Sequence, residues 1–184
     1  MKRKVNYDLS NRVHCKLSEL SNVVKSISKE CVSCKFNPKT FYNIKNCKTE
    51  IQLETFIRLA KLLKIAPHKL LEIVLIEEIS NSELKKLYIK NKTAIQYDFD
   101  YDIFKQLLFK RRLELKEEER TLENILNAKA EEGKIILEQR QIENILYNGK
   151  CSLKSYLYIC EVFELNFVKI MEKCIFMEGK NVCN

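Results

Sequence analysis

Residues 53–72 and 153–172 carry their apolar positions in the same order. The first segment reads LETFIRLAKLLKIAPHKLLE and the second LKSYLYICEVFELNFVKIME. Only Leu53/Leu153, Lys69/Lys169 and Glu72/Glu172 are identical. Yet Leu53, Phe56, Ile57, Leu59, Ala60, Leu62, Leu63, Ile65, Leu70 and Leu71 align with Leu153, Tyr156, Leu157, Ile159, Cys160, Val162, Phe163, Leu165, Ile170 and Met171. A fixed apolar frame around drifting polar positions is what two copies of one small core leave in a sequence. A period of about a hundred residues fits a domain duplication, because solenoid units are far shorter, about 20–45 residues.

The spacing predicts helices throughout. In copy one, Leu9, Val13, Leu17, Leu20, Val24 and Ile27 recur every three or four residues, and Ser18 is a candidate cap dividing them into two helices. Residues 29–36 (KECVSCKF) read as a turn. Asn37-Pro38 then opens a helix over 38–46 that buries Phe41 and Ile44, with Pro at the first helical position, where its missing N–H costs nothing. Further helices are expected at 53–64 and, from Pro67, at 67–79. Copy two predicts helices near 102–115, 121–131, 138–147, 152–164 and 166–176, with Thr121 as a cap and Gly133 in the turn before the third. A shift of 101 lays Ile142 on Phe41 and Ile145 on Ile44, and the offset falls to 100 by Leu153. Residues 80–100 are polar and irregular and read as a linker with room for one short helix. The reading is therefore all-α: a domain at 1–80, a linker at 81–100 and a second domain at 101–184.

Composition agrees. Three Gly and two Pro in 184 residues leave little for tight turns or strands. No apolar run approaches the roughly 20 residues of a membrane span, and the N-terminal MKRKVNYDLS lacks the apolar stretch of a secretion signal. The expected compartment is the cytoplasm, with no membrane partner. There the eight Cys are expected as reduced thiols, and Cys160, aligned with Ala60, as a small core hydrophobe.

Charge changes the picture more. Residues 1–100 hold 19 Lys and Arg against 11 Asp and Glu, whereas residues 101–184 hold 14 of each, so the whole excess of +8 lies in copy one and the linker. A basic half attracts polyanions and a neutral half does not. The two copies are expected to have divided their tasks.

The stretch Lys39-Thr40-Phe41-Tyr42-Asn43-Ile44-Lys45-Asn46-Cys47-Lys48, followed by Leu53-Glu54-Thr55-Phe56 and Leu59-Ala60, resembles the phage-repressor and Cro type of helix-turn-helix domain, the xenobiotic-response-element class. Ile44-Lys45-Asn46-Cys47-Lys48 stands where that family has an Ile-Glu-Asn-Gly-Lys-like turn after its recognition helix, and Asn148-Gly149-Lys150 with Leu153 echoes it in copy two. The resemblance spans residues 9–79 and 102–176. It implies two tandem lambda-repressor-like bundles of about four or five helices each, joined by a short linker, whose third helix enters a major groove. The implied nucleic-acid-binding residues are Lys35, Asn37, Lys39, Thr40, Tyr42, Asn43, Lys45 and Lys48, since amide and basic side chains suit base edges and phosphates. Two features depart from the family. Its phosphate-binding Gln at the start of the second helix has no match beside Ser18 or Thr121, and the turn before the third helix is longer.

In copy two the corresponding face carries Glu138, Gln139, Arg140, Gln141, Glu143 and Asn144, with carboxylates that repel phosphate. Glu138, Gln139, Arg140, Gln141 and Asn144, with Arg111 and Arg112, are read as a partner-binding set. Arg111-Arg112 could hold phosphate or partner acids, but ordinary surface pairing is the plainer reading of that pair. Cys31-x-x-Cys34, with Cys47, Cys15 and His14, is a metal candidate, since tetrahedral zinc needs four such ligands, but the second half of the signature is not a CxxC and copy two has no counterpart at 132–135, so no metal or other cofactor is expected. With two His and no Gly-rich phosphate loop, no catalytic constellation presents itself and the chain is not expected to be an enzyme.

The functional expectation is a DNA-binding transcription regulator of phage or mobile-element type. Copy one would bind double-stranded DNA through residues 1–80, and copy two would serve in dimerisation, in a homodimer or as a pseudo-symmetric second contact, or in partner contact. The alternative is an inhibitor or adaptor derived from the helix-turn-helix fold, binding a protein or ribonucleoprotein through residues 101–184, as anti-CRISPR factors and antitoxin components do. A metal-sensing regulator rests on the CxxC alone.

Overall fold

A computed structural model describes residues 37–45, 51–75, 97–115, 121, 124–125, 139–148 and 151–177. It is mainly helical. In chain order come α1 (Pro38–Lys45), α2 (Leu53–Leu62), α3 (Pro67–Leu75), β1 (Tyr97–Phe99), α4 (Tyr101–Glu114), α5 (Gln139–Asn148), α6 (Leu153–Val162), α7 (Phe167–Cys174) and β2 (Ile175–Met177). No helix among the described residues is long and apolar enough to cross a membrane. The expected helices before residue 37 and the turn at Gly133 lie outside the described residues.

The apolar frame read from the sequence is the core. All its first-segment members from Leu53 to Leu71 are buried, and in the second segment only Leu165 is partly exposed. Among the described residues the buried side chains of both segments form one continuous cluster. Helix α3 packs against α7, and α2 against both α6 and β1.

The two segments repeat their backbone bonds at a constant offset of 100. Helix α2 begins with Phe56 N donating to Gln52 O (2.9 Å), and α6 with Tyr156 N donating to Ser152 O (3.0 Å). Both helices then end in a Schellman motif, in which the N–H two residues past the cap reaches back to the last turn. Ile65 N donates to Ala60 O (3.0 Å) and Leu165 N to Cys160 O (2.7 Å). That turn requires a left-handed residue, here Lys64 at φ 57° and Glu164 at φ 54°. The segments also join each other reciprocally: Leu53 N donates to Cys151 O (2.9 Å) and Leu153 N to Ile51 O (2.8 Å). These bonds pair Gln52 with Ser152 in an isolated antiparallel bridge.

Two elements depart from the all-α expectation. The spacing predicts a helix to 176, but α7 stops at Cys174, and Ile175–Met177 leave it as β2. Its antiparallel partner β1 lies in the stretch read as linker, with Tyr97 opposite Met177 and Phe99 opposite Ile175. Strand period explains the placement: Asp98 is exposed while Phe99 is buried. Phe99 stacks edge-on with Phe104 (5.7 Å) and Tyr156 (5.9 Å), tying the strand and α4 to α6. Asp100 then caps α4, its carboxylate accepting from the N–H groups of Asp102 and Ile103, both at 2.9 Å.

Candidate nucleic-acid interface

The start of α1 is fixed locally. Asn37 Oδ1 accepts from Lys39 N (2.8 Å), and Pro38 occupies the first helical position. The helix, PKTFYNIK, contains no acid. Lys39, Tyr42 and Asn43 stand three and four residues apart and so share a face. Asn37, Lys39 and Tyr42 are exposed, and Thr40 and Asn43 are partly exposed. Tyr42 keeps half its surface in solvent, unusual for a residue that a small helical core could have used. An amide, a cation and a phenol on one solvated face can donate to base edges and phosphates. Lys45 ends the helix, but its side chain, with those of Phe41 and Ile44, lies outside the description, as do Lys35 and Lys48.

Helix α5 is built similarly. Ile142 and Ile145 anchor it in the core, while Arg140, Asn144 and Tyr147 are exposed and Glu143 is partly so. Gln139 and Gln141 lie on this helix without a described side chain, and Glu138 precedes it outside the described residues. The shift of 101 that superposes the apolar positions also superposes Lys39 on Arg140 and Asn43 on Asn144. That match of a cation and an amide at i and i+4 was open to sequence inspection but emerges only when the shift is applied to polar positions.

Arg111 points elsewhere. Its Nε donates to Phe163 O (3.0 Å), Nη1 meets Glu114 (3.2 Å) and Nη2 meets Glu164 (3.2 Å). It latches the end of α4 onto the turn after α6, so its principal contacts are within the chain. Arg112, beside it, is partly buried. Thr121 acts as expected of a cap, its Oγ1 accepting from Asn124 N (3.1 Å).

Cys31, Cys34, Cys47 and Cys15 lie outside the described residues. Among the described residues no group of His, Cys, Asp or Glu is arranged to hold a metal ion. Cys151, Cys160 and Cys174 are buried free thiols. Burial pushes the thiols of Cys151 and Cys174 up to about 12 and that of Cys160 higher still, so they remain protonated and unreactive near neutrality. The hydroxyl of Tyr156, among them, donates to Phe167 O (2.6 Å).

No protein-family model matches the chain, and no curated protein or solved structure shows significant similarity to it.

Proposed function

We propose that this chain is a DNA-binding regulator of phage or mobile-element type, formed by tandem duplication of a helix-turn-helix module, with α1 docking in a major groove. The duplication is supported by the backbone bonds and left-handed residues repeated at an offset of 100. The observation that carries the function is α1 itself: an acid-free helix that exposes Lys39 and Tyr42, with exposed Asn37 just before it, in the half that holds the entire excess of +8. The resemblance to the repressor and Cro class adds the docking geometry. Within this reading the second copy supplies a dimerisation partner inside the same chain, through α3 against α7 and the Gln52–Ser152 bridge.

The test is fluorescence anisotropy with random-sequence duplex DNA across a salt series. Affinity should fall with salt at a logarithmic slope of about −0.9 per phosphate neutralised. Lys39→Ala should weaken binding to all duplexes alike and reduce that slope by about one. Absence of binding at low salt removes the proposal.

One observation favours the second reading, an inhibitor or adaptor that grips a protein or ribonucleoprotein. Phe109 and Leu113, one turn apart on α4, are 61% and 51% exposed. Retention of a protein partner after nuclease treatment, lost in Phe109→Lys, would favour that reading over DNA binding.

A further inference from the structure

We propose that the outer face of α4 is a docking site for an acidic amphipathic helix of a partner protein. It deepens the reading of α4 as a surface that grips a protein, rests on that reading, and is independent of DNA contact by α1.

Helix α4 and its C-cap carry two stripes of one spacing. Phe104, Leu108, Arg111 and Leu115 follow one another at four, three and four residues and turn inward. Phe104 and Leu108 are buried, Leu115 packs against the core, and Arg111 reaches the Phe163 carbonyl (3.0 Å). Asp102, Gln106, Phe109 and Leu113 repeat that spacing two residues earlier, and all of them are exposed. Two residues turn a helix by about 200°, so this second stripe lies on the opposite side. A lone exposed Leu carries no message. Here, however, Ile103, Phe109 and Leu113 are three of the six large hydrophobics exposed among the described residues, and one helix holds them. The four-three-four spacing is the seam along which a second helix lies.

The edges of the seam select its occupant. One edge carries Lys105 and Arg112, the other Lys110 beside Ile103, and neither carries an acid. Asp102, at the N-terminal end of the seam, pairs with Lys105 (3.2 Å), and Glu114, beyond Leu113, pairs with Arg111 (3.2 Å). A second copy of α4 laid on the seam, in either direction, would set Lys105 and Arg112 against the cations of its fellow, so self-pairing is disfavoured. A helix with an apolar seam and Glu or Asp at its edges meets Phe109, Leu113 and all three cations together. The seam is only about three turns long, so the complex is small and transient.

The full chain is used to select from a displayed library of helical peptides about three heptads long, randomised at seam and edge positions. Enriched peptides should combine an apolar seam with Glu or Asp edges. One such peptide, and its copy with Lys at the edges, are then titrated by fluorescence anisotropy. The acidic form should bind about ten-fold or more tighter, and the gap should narrow with added salt. Phe109→Lys should weaken the acidic peptide about ten-fold or more, with Leu113→Lys as an independent probe of the same seam. Lys105→Glu/Lys110→Glu should reverse the preference between the two peptides, and thermal melts identify the variants that keep the fold. No enrichment, a basic or uncharged consensus, or equal binding of the acidic peptide to wild type and Phe109→Lys overturns the proposal. Sedimentation of the wild-type chain as a Phe109-dependent dimer also overturns it, by assigning the seam to a second copy. In each of these failures, a protein still retained through Phe109 after nuclease treatment leaves the broader reading of α4 standing, and its absence removes that reading too.

Discussion

The segments around α2–α3 and α6–α7 make the same backbone bonds from different side chains. Where the first places Ile51, Phe56, Ala60 and Val74, the second places Cys151, Tyr156, Cys160 and Cys174, and all eight are buried. Helix entry is solved twice as well. Gln52 leaves α2 without a side-chain cap, whereas the hydroxyl of Ser152 accepts from Ser155 N. Pro67 opens α3 by its ring geometry, whereas Asn166 caps α7 by accepting from Lys169 N (3.0 Å). Backbone geometry is thus set by where apolar groups fall, and the particular group decides only what else the core can do.

The sharpest way to break this equivalence is to empty both cores. Phe56 and Tyr156 are the largest fully buried residues of their segments. Each truncation to Ala should cost about 3–5 kcal/mol. Because the buried cluster is continuous, urea unfolding of either variant, followed by circular dichroism, should remain a single transition. Two separated transitions would show that the segments are independent bodies. Tyr156→Phe, which deletes only the hydroxyl donating to Phe167 O, should cost about 1 kcal/mol.

The apolar frame was legible because helical period is local. Every one of its residues in α2 could be assigned inward by counting threes and fours, and the offset of 100 by aligning the two counts. Strand β1 was not legible. Three residues offer too short an alternation, and the partner Ile175–Met177 lies far along the chain. The latch at Arg111 escaped for a related reason, since an exposed-looking Arg-Arg pair gives no hint that its target is the carbonyl of Phe163. At α1 the polar face could be listed from sequence. At α5 its correspondence to α1 required the shift of 101 to be carried from apolar to polar positions.

The second contrast is electrostatic. Thiols at Cys151, Cys160 and Cys174 replace aliphatic groups, and burial raises all three above their ordinary value of 9.0. Their contribution is complete below about pH 8, where folded and unfolded chains both hold the proton. As pH rises toward 12 the unfolded chain ionises first, so stability falls by about 1.4 kcal/mol per thiol at pH 10. Installing the first segment's residues, Cys151→Ile, Cys160→Ala and Cys174→Val, should flatten this decline between pH 8 and 10 in denaturant titrations. An unchanged slope would mean that these thiols do not govern the alkaline limb.

The finest contrast lies in the two Schellman turns. Lys64 and Glu164 hold φ values of 57° and 54°, where a Cβ is strained and glycine is not. Lys64→Gly should therefore stabilise the chain by about 0.5–1 kcal/mol. Glu164→Gly relieves the same strain but gives up the 3.2 Å ion pair with Arg111. That exposed pair contributes at most about 1 kcal/mol, so it offsets part of the gain at Glu164. The offset should shrink with added salt, because screening weakens the ion pair and leaves the backbone term untouched. Thermal melts of Glu164→Gly at low and high salt would read it directly. A gain that does not change with ionic strength would show that the ion pair with Arg111 adds nothing measurable to this turn.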